Sequence, residues 1–249
     1  MATLTPRFRK QALIGVVTLA AFGIVSLAVF AFSLAGDEGD HVLIRYAEEN
    51  GMDSAQDISG LEAREQYILG EQKERSLVAV LHNPNEGWHA SRVSYRFSIK
   101  GAEEREEVVE GSSFVGAASD RLIVEQFSSD FSIESFSFTI ESVDWVSAPE
   151  RQLAELRVRQ AVFETKGEGH GIVSHVSGRV VNDSAVGAVD VEVGIVARTQ
   201  EGVAVGAGVV DVASLNPAAS EELSFSWEGG LGNVATLSFF PVAEGISKP

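Results

Sequence analysis

From Leu61 onward, apolar and polar residues alternate with period two, and turn-forming residues break the pattern every ten or so positions. That rhythm predicts short antiparallel strands in a β-sandwich or barrel. VSYRFSI puts Val93, Tyr95, Phe97 and Ile99 on one face and Ser94, Arg96 and Ser98 on the other, so it predicts a strand with one core face and one wet face. SLVAVLHNPN is apolar at both parities (Leu77, Ala79 and Leu81 against Val78 and Val80), which predicts burial on both sides. RLIVEQF and IESFSFTIESVDWV continue in strands, the latter with Phe136, Phe138 and Ile140 in line. Later segments repeat the plan: HVSGRVVNDS, AVDVEVGIVART with Val189, Val191, Val193 and Ile195, GVAVGAGVVDVA, LSFSW with Leu223, Phe225 and Trp227, and VATLSFFPVA. The charged run GAEEREE reads as a solvated turn, and Gly111-Ser112-Ser113 as a turn or a bulge in a strand.

The N-terminal region has another pattern. Gln11 to Gly36 carries no charged side chain. About 24 helical residues reach about 36 Å, enough to cross a hydrocarbon layer of about 30 Å with some tilt. Arg7, Arg9 and Lys10 precede the run, and Asp37, Glu38 and Asp40 follow it. The positive-inside bias then predicts a cytoplasmic tail at 1–10, a transmembrane signal anchor at 11–35 and an exterior remainder. A cleavable signal peptide, with Ala31 and Ser33 before the cut, is the alternative, but the run exceeds the usual apolar core of about 7–15 residues. Residues 36–60 form an acidic spacer whose HVLIRYAEENG segment fits either a helix or a strand.

Beyond Gly36 there are 16 basic and 36 acidic side chains, a net −20, with most of the excess before residue 150. Such a field repels nucleic acid and anionic lipid headgroups and favours cationic partners, while also keeping the protein soluble. The chain has no cysteine, which removes disulfides, thiol catalysis and thiolate metal sites.

LHNPNEGWHASRVSYRFSIKG and VVNDSAVGAVDVEVGIVARTQEG share a strand, an Asn-bearing polar turn, a glycine-bearing loop and an alternating strand. Asn83 and Asn182 are then equivalent, 99 positions apart. An internal duplication predicts an all-β fold of two tandem β-sandwiches, at 61–147 and 151–245, joined at Ser147-Ala148-Pro149-Glu150, with a tail at 246–249. Gly178, Val180 and Asn182, the Gly202 turn, and Leu215 with Pro217 resemble the FxLyD type of immunoglobulin-like sandwich. The segment that names that family reads Ile195-Val196-Ala197-Arg198-Thr199 here, without its aromatic residues or Asp, and Ala218 stands where Gly is usual. LVAVLHNPN and VSYRFSI also resemble the water-stress (late embryogenesis abundant) sandwich. The resemblance implies sandwich domains on membrane-anchored prokaryotic proteins and supplies no catalytic residues.

Candidate chemistry is sparse. His82 and His89 flank the NPNEGW turn, and His170 and His175 lie in GEGHGIVSH, but no third ligand recurs at fixed spacing for zinc. The acidic clusters Asp37-Glu38-Gly39-Asp40 and Glu103-Glu104-Arg105-Glu106-Glu107 lack the ligand alternation of a calcium loop. There is no Gly-Xaa-Ser-Xaa-Gly elbow and no Ser-Xaa-Xaa-Lys, and Gly206 with Gly208 is not followed by a helix that would cradle phosphate. Asn182-Asp183-Ser184 matches a glycosylation sequon. Trp88, in a loop, is a candidate partner contact. The reading is an envelope interaction or scaffold protein with no catalytic residue, metal or cofactor, one membrane span, a protein partner and no nucleic acid. A ligand- or cation-binding module is the alternative, and an unrecognised hydrolase the third.

Overall fold

The computed structural model describes residues 58–70, 74–102, 105–148, 153–167, 172–212 and 214–247. The predicted tail 1–10, the transmembrane segment 11–35 and most of the spacer 36–60 lie outside them, as does the predicted junction at Pro149-Glu150. The described chain is all-β. Among the described residues no helix is long and apolar enough to cross a membrane.

Among the described residues twelve strands follow one another: β1 (Glu62–Leu69), β2 (Glu74–His82), β3 (Trp88–Gly101), β4 (Glu106–Val115), β5 (Asp120–Ser128), β6 (Ile133–Ser147), β7 (Leu156–Gly167), β8 (Ile172–Asn182), β9 (Gly187–Arg198), β10 (Ala204–Val212), β11 (Ser220–Glu228) and β12 (Thr236–Ser247). They make four three-stranded antiparallel sheets, ordered β1-β2-β5, β4-β3-β6, β11-β8-β7 and β10-β9-β12. Adding six to each strand number of the first two sheets generates the other two. The six-strand plan occurs twice.

Each half closes a core between its own two sheets. In the first, Leu77, Ala79 and Leu81 of β2 meet Val93, Tyr95, Phe97 and Ile99 of β3, with Ile123, Phe127 and Phe138 completing the layer. Phe97 and Phe138 lie edge to face with ring centroids 4.9 Å apart, an arrangement that adds about 0.5–1.5 kcal/mol to area burial. The second core joins Val176 and Val180 of β8 to Val191, Val193 and Ile195 of β9, with Leu223 of β11 and Ala243 of β12.

A third apolar cluster joins the halves and explains the two-sided burial of SLVAVL. Val78, Val80 and Leu122 turn away from the first core and pack on Val196 and Ala207, with Tyr67, Leu69, Val124 and Phe240 around them. The β1-β2-β5 sheet thus lies face to face with the β10-β9-β12 sheet. Gly194 makes the approach possible: a Cβ there would stand 2.7 Å from the Cβ of Leu122. The outer faces are polar, with Ser94, Arg96 and Ser98 on β3 and His175, Ser177 and Arg179 on β8.

Three local expectations change. Gly111-Ser112-Ser113 is neither a turn nor a bulge but the middle of β4, in unbroken register with Tyr95, Ser94 and Val93. Gly is needed at 111 because the Tyr95 ring crosses it, and a Cβ would sit 2.4 Å from the phenol oxygen. The charged run GAEEREE is only in part a turn, since β4 begins at Glu106. Val189 does not share the face of Val191: Asp190 adopts a positive φ of 52°, and Ala188 takes the core place instead.

A bulky residue at 194 should separate the halves without destroying either core. Gly194→Leu is expected to convert a single calorimetric unfolding transition into two while leaving the β-type circular dichroism intact. A single transition at an unchanged temperature would refute the close-approach account.

Candidate functional site

At one end of the first half, the Asn83 side chain is fully buried and organises the loop that carries Trp88. Its Nδ2 donates to the Trp88 carbonyl (2.7 Å) and the Gly116 carbonyl (2.9 Å), and its Oδ1 accepts from the Asn85 amide (3.0 Å). Asn85 in turn bonds both the amide and the carbonyl of Ser59 (2.9 and 2.8 Å), tying the incoming chain to this loop. Trp88 is therefore not at a loop tip. It is the first residue of β3, half-buried, opposite Ser147 of β6.

The second half repeats the device. Asn182 is fully buried, its Nδ2 donates to the carbonyls of Val186 (2.8 Å) and Leu215 (3.1 Å), and its Oδ1 accepts from the Ser184 amide (3.1 Å). The main-chain amides of Asn83 and Asn182 bond Ser119 and Ala219, each at 3.0 Å. Just before those acceptors, Ala118 and Ala218 hold positive φ of 45° and 57°. Ala218 thus occupies a left-handed conformation that Gly would adopt without strain. Burial of the Asn182 amide also closes its sequon to modification in the folded state.

The histidines are dispersed. His82 Nδ1 lies 2.7 Å from Asp120 Oδ1, which also receives Arg64 at 3.3 Å. His89 is buried, and its Nδ1 accepts from the Ala117 amide (2.8 Å). His170 lies outside the described residues. Among the described residues no three of His, Asp and Glu gather as a metal site.

One row of residues has the types of a hydrolytic triad and was not legible in sequence. His175 on β8 stands directly opposite Glu164 on β7 and Ser226 on β11, and its Nδ1 is 2.9 Å from Ser226 Oγ. It borders an open depression of about 460 Å³ lined by Gln160, Ser177, Arg179, Glu222 and Ser224. The hydrogen bond to Lys166 holds the Glu164 carboxyl below its ordinary range. A nucleophilic serine also needs donors aimed at a developing oxyanion. Here the row crosses the middle strand of an antiparallel sheet, where β8 is laddered to β7 on one side and β11 on the other. The arrangement suits a polar contact surface.

The seam between the halves holds the most buried charges. Arg121, whose side chain is 8% exposed, reaches Glu192 of β9 at 2.9 Å and Ser113 Oγ at 3.1 Å. Beside it the Tyr95 hydroxyl donates to Glu125 at 2.7 Å, and burial together with that carboxylate pushes the phenol well above its usual range. At the other side Arg198 of β9 bonds Glu65 of β1 at 2.6 Å. Burial opposes the Arg198 charge, but the Glu65 hydrogen bond and the neighbouring Tyr67 outweigh it and raise its pKa. The Tyr67 hydroxyl makes no hydrogen bond of good geometry, and desolvation pushes its pKa up to about 12. The Arg121–Glu192 pair is the more buried of the two, since Glu65 keeps 40% of its side chain exposed, and a pair taken out of water adds little net stability once desolvation is counted.

No family model matches the chain. No curated protein matches it. Solved structures do, among them red sea bream transglutaminase, at 10% identity and a TM-score of 0.22, over 73% of this chain and 30% of that one. The chain spans under a third of that enzyme's length, and a likeness this low carries no argument about function.

Asn83→Ala strips the Trp88 and Gly116 carbonyls and the Asn85 amide of their partner, Asn182→Ala strips the Val186, Leu215 and Asn216 carbonyls and the Ser184 amide of theirs, and each is expected to lower unfolding free energy by about 2–4 kcal/mol in urea titrations. The Tyr67 phenol is kept neutral by folding, so its contribution is full below pH 10 and is lost as pH rises from about 10 to 12. Tyr67→Phe should flatten the stability profile between pH 10 and 12, with unchanged or slightly raised stability at pH 7, as read from urea midpoints.

Proposed function

We propose that this protein is a non-enzymatic interaction or scaffold module of a prokaryotic envelope, held by one N-terminal membrane span with its C-terminal portion outside. In this reading the described region is two tandem immunoglobulin-like β-sandwiches, at about 61–147 and 151–245. The repeated strand plan and the matched clamps of Asn83 and Asn182 support the duplication. The resemblance to the FxLyD and water-stress sandwiches supports the same assignment.

The observation that carries the functional reading is the seam. Val78, Val80 and Leu122 against Val196 and Ala207, bracketed by Arg121–Glu192 and Arg198–Glu65, join the halves without a hinge at that surface. A substrate-closing enzyme built from two domains needs them to move. A spacer or display platform needs them fixed. With face-packed sheets about 10 Å apart, four layers give a body roughly 30 Å thick across the stack. The surface excess of acid suits a cationic protein partner.

The apolar run and its flanking charges carry the topology. Protease added to intact spheroplasts is expected to digest the portion beyond residue 60 and to spare an epitope placed at the N-terminus. Protection of the C-terminal portion would overturn the orientation. A released fragment beginning near Leu34 would instead replace the anchor with a cleaved signal.

A further inference from the structure

Each half has three strands per sheet, which leaves β6, like β4, as an outer strand of the β4-β3-β6 sheet. An outer strand presents main-chain amides and carbonyls with no strand partner, and folded proteins ordinarily obstruct such edges. β12 carries Pro241 in its middle. β7 is broken by a bulge where Gln160 has a φ of 54°, and β4 opens on Glu106 and Glu107. β6 differs from these. From Ser135 to Ile140 it runs in regular register with Lys100 to Tyr95 of β3, and SFSFTI holds no charge, proline or glycine. Six such residues are the composition that adds readily to another strand.

Beside this edge lies a groove of about 580 Å³ between β6 and β1, bordered by Gln66, Tyr67, Ile68, Arg75, Ile133 and Phe136. Ile68, Ile133 and Phe136 also pack against the first core, so the groove has an apolar floor. Gln66 reaches across it, and its Oε1 accepts the outward-facing Phe138 amide at 3.0 Å. A side-chain amide is thus doing at one position what the carbonyl of a seventh strand would do along the whole edge.

We propose that the β6 edge is a strand-addition site for an extended cationic peptide segment with apolar residues at every second position. This deepens the reading of the chain as an interaction module and rests on it. Main-chain hydrogen bonds to the Phe136–Ile140 stretch would supply affinity, and the floor of Ile68, Ile133 and Phe136 would select the apolar positions. Charge chooses the occupant. Glu134 borders the uncharged window, and Glu141 at its other end is shared with Arg96 at 2.8 Å. Arg75 is the one basic residue on the groove among the described residues, and the whole chain carries −17, so a basic partner is attracted where a second copy is repelled.

The test uses the full 249-residue chain and a fluorescein-labelled peptide, Lys-Thr-Val-Thr-Val-Thr-Val-Lys, read by anisotropy. Two alternately N-methylated versions, blocking one edge or the other, serve as probes of main-chain bonding. Binding is expected for the parent peptide and for one methylated form, with at least a tenfold loss for the other. Gln66→Ala, which frees the Phe138 amide, should tighten binding by about threefold to tenfold. Ser137→Lys with Thr139→Lys, on the solvent face beside the edge, should weaken it at an unchanged melting temperature. No binding, or equal binding of both methylated forms, overturns the proposal. Self-association that the double lysine variant disperses would place a second copy there and overturn the choice of occupant. Either failure leaves the spheroplast topology result standing, and a failed topology leaves these affinities unaffected.

Discussion

Contact between the β1-β2-β5 face and the β10-β9-β12 face is the constraint on which the rest of the architecture depends. A three-stranded sheet can bury one side against its own partner sheet and leave the other wet. Here two of the four sheets bury both sides, which requires apolar residues at consecutive positions of β2, small residues on β9 and β10, and charge pairs at the margins. Gly194 beneath Leu122 is the sharpest expression of this demand, because no side chain fits the space. Removing water from Arg121 and Arg198 is tolerable only because Glu192 and Glu65 meet them from the opposite half.

Within each half the fixed points are the two buried asparagines. A carboxamide offers donors and an acceptor together, so one side chain satisfies carbonyls of two loops and the amide of its own turn. Asn83 and Asn182 do this at the same step of the strand plan, just after β2 and β8. The strain at Ala118 and Ala218 is the local price of bringing the neighbouring turns within reach.

Much of this was legible in the sequence, and the parts that were not share a cause. Alternation in VSYRFSI and LSFSW marks the inward face because period two is a local property. The double parity of SLVAVL announced two buried faces but could not name the second neighbour, which lies more than a hundred residues away on β9 and β10. β1 escaped because its apolar residues Tyr67, Ile68 and Leu69 are consecutive and face two different neighbours, and β7 because it is mostly exposed. Gly111-Ser112-Ser113 looked like a break because the reason for its glycine, the Tyr95 ring, comes from another strand. The His175 row joins residues 11 and 51 positions from the histidine, and the Gln66–Phe138 bond spans 72. No motif spacing encodes such meetings.

The two halves turn different sheets inward: the first contributes its β1-β2-β5 sheet, while the second contributes the counterpart of β4-β3-β6. Such a head-to-tail relation has no symmetry axis to close it, so a third and fourth unit could in principle be laid on by the same operation. The two outer faces differ in chemistry from the internal contact, because Ser94, Arg96 and Ser98 on one side and His175, Ser177 and Arg179 on the other stand where that contact has valines and a glycine. A further unit could be laid on either outer face by this same contact only if those positions became apolar, so a handful of polar residues makes the internal seam and the outer faces chemically unlike.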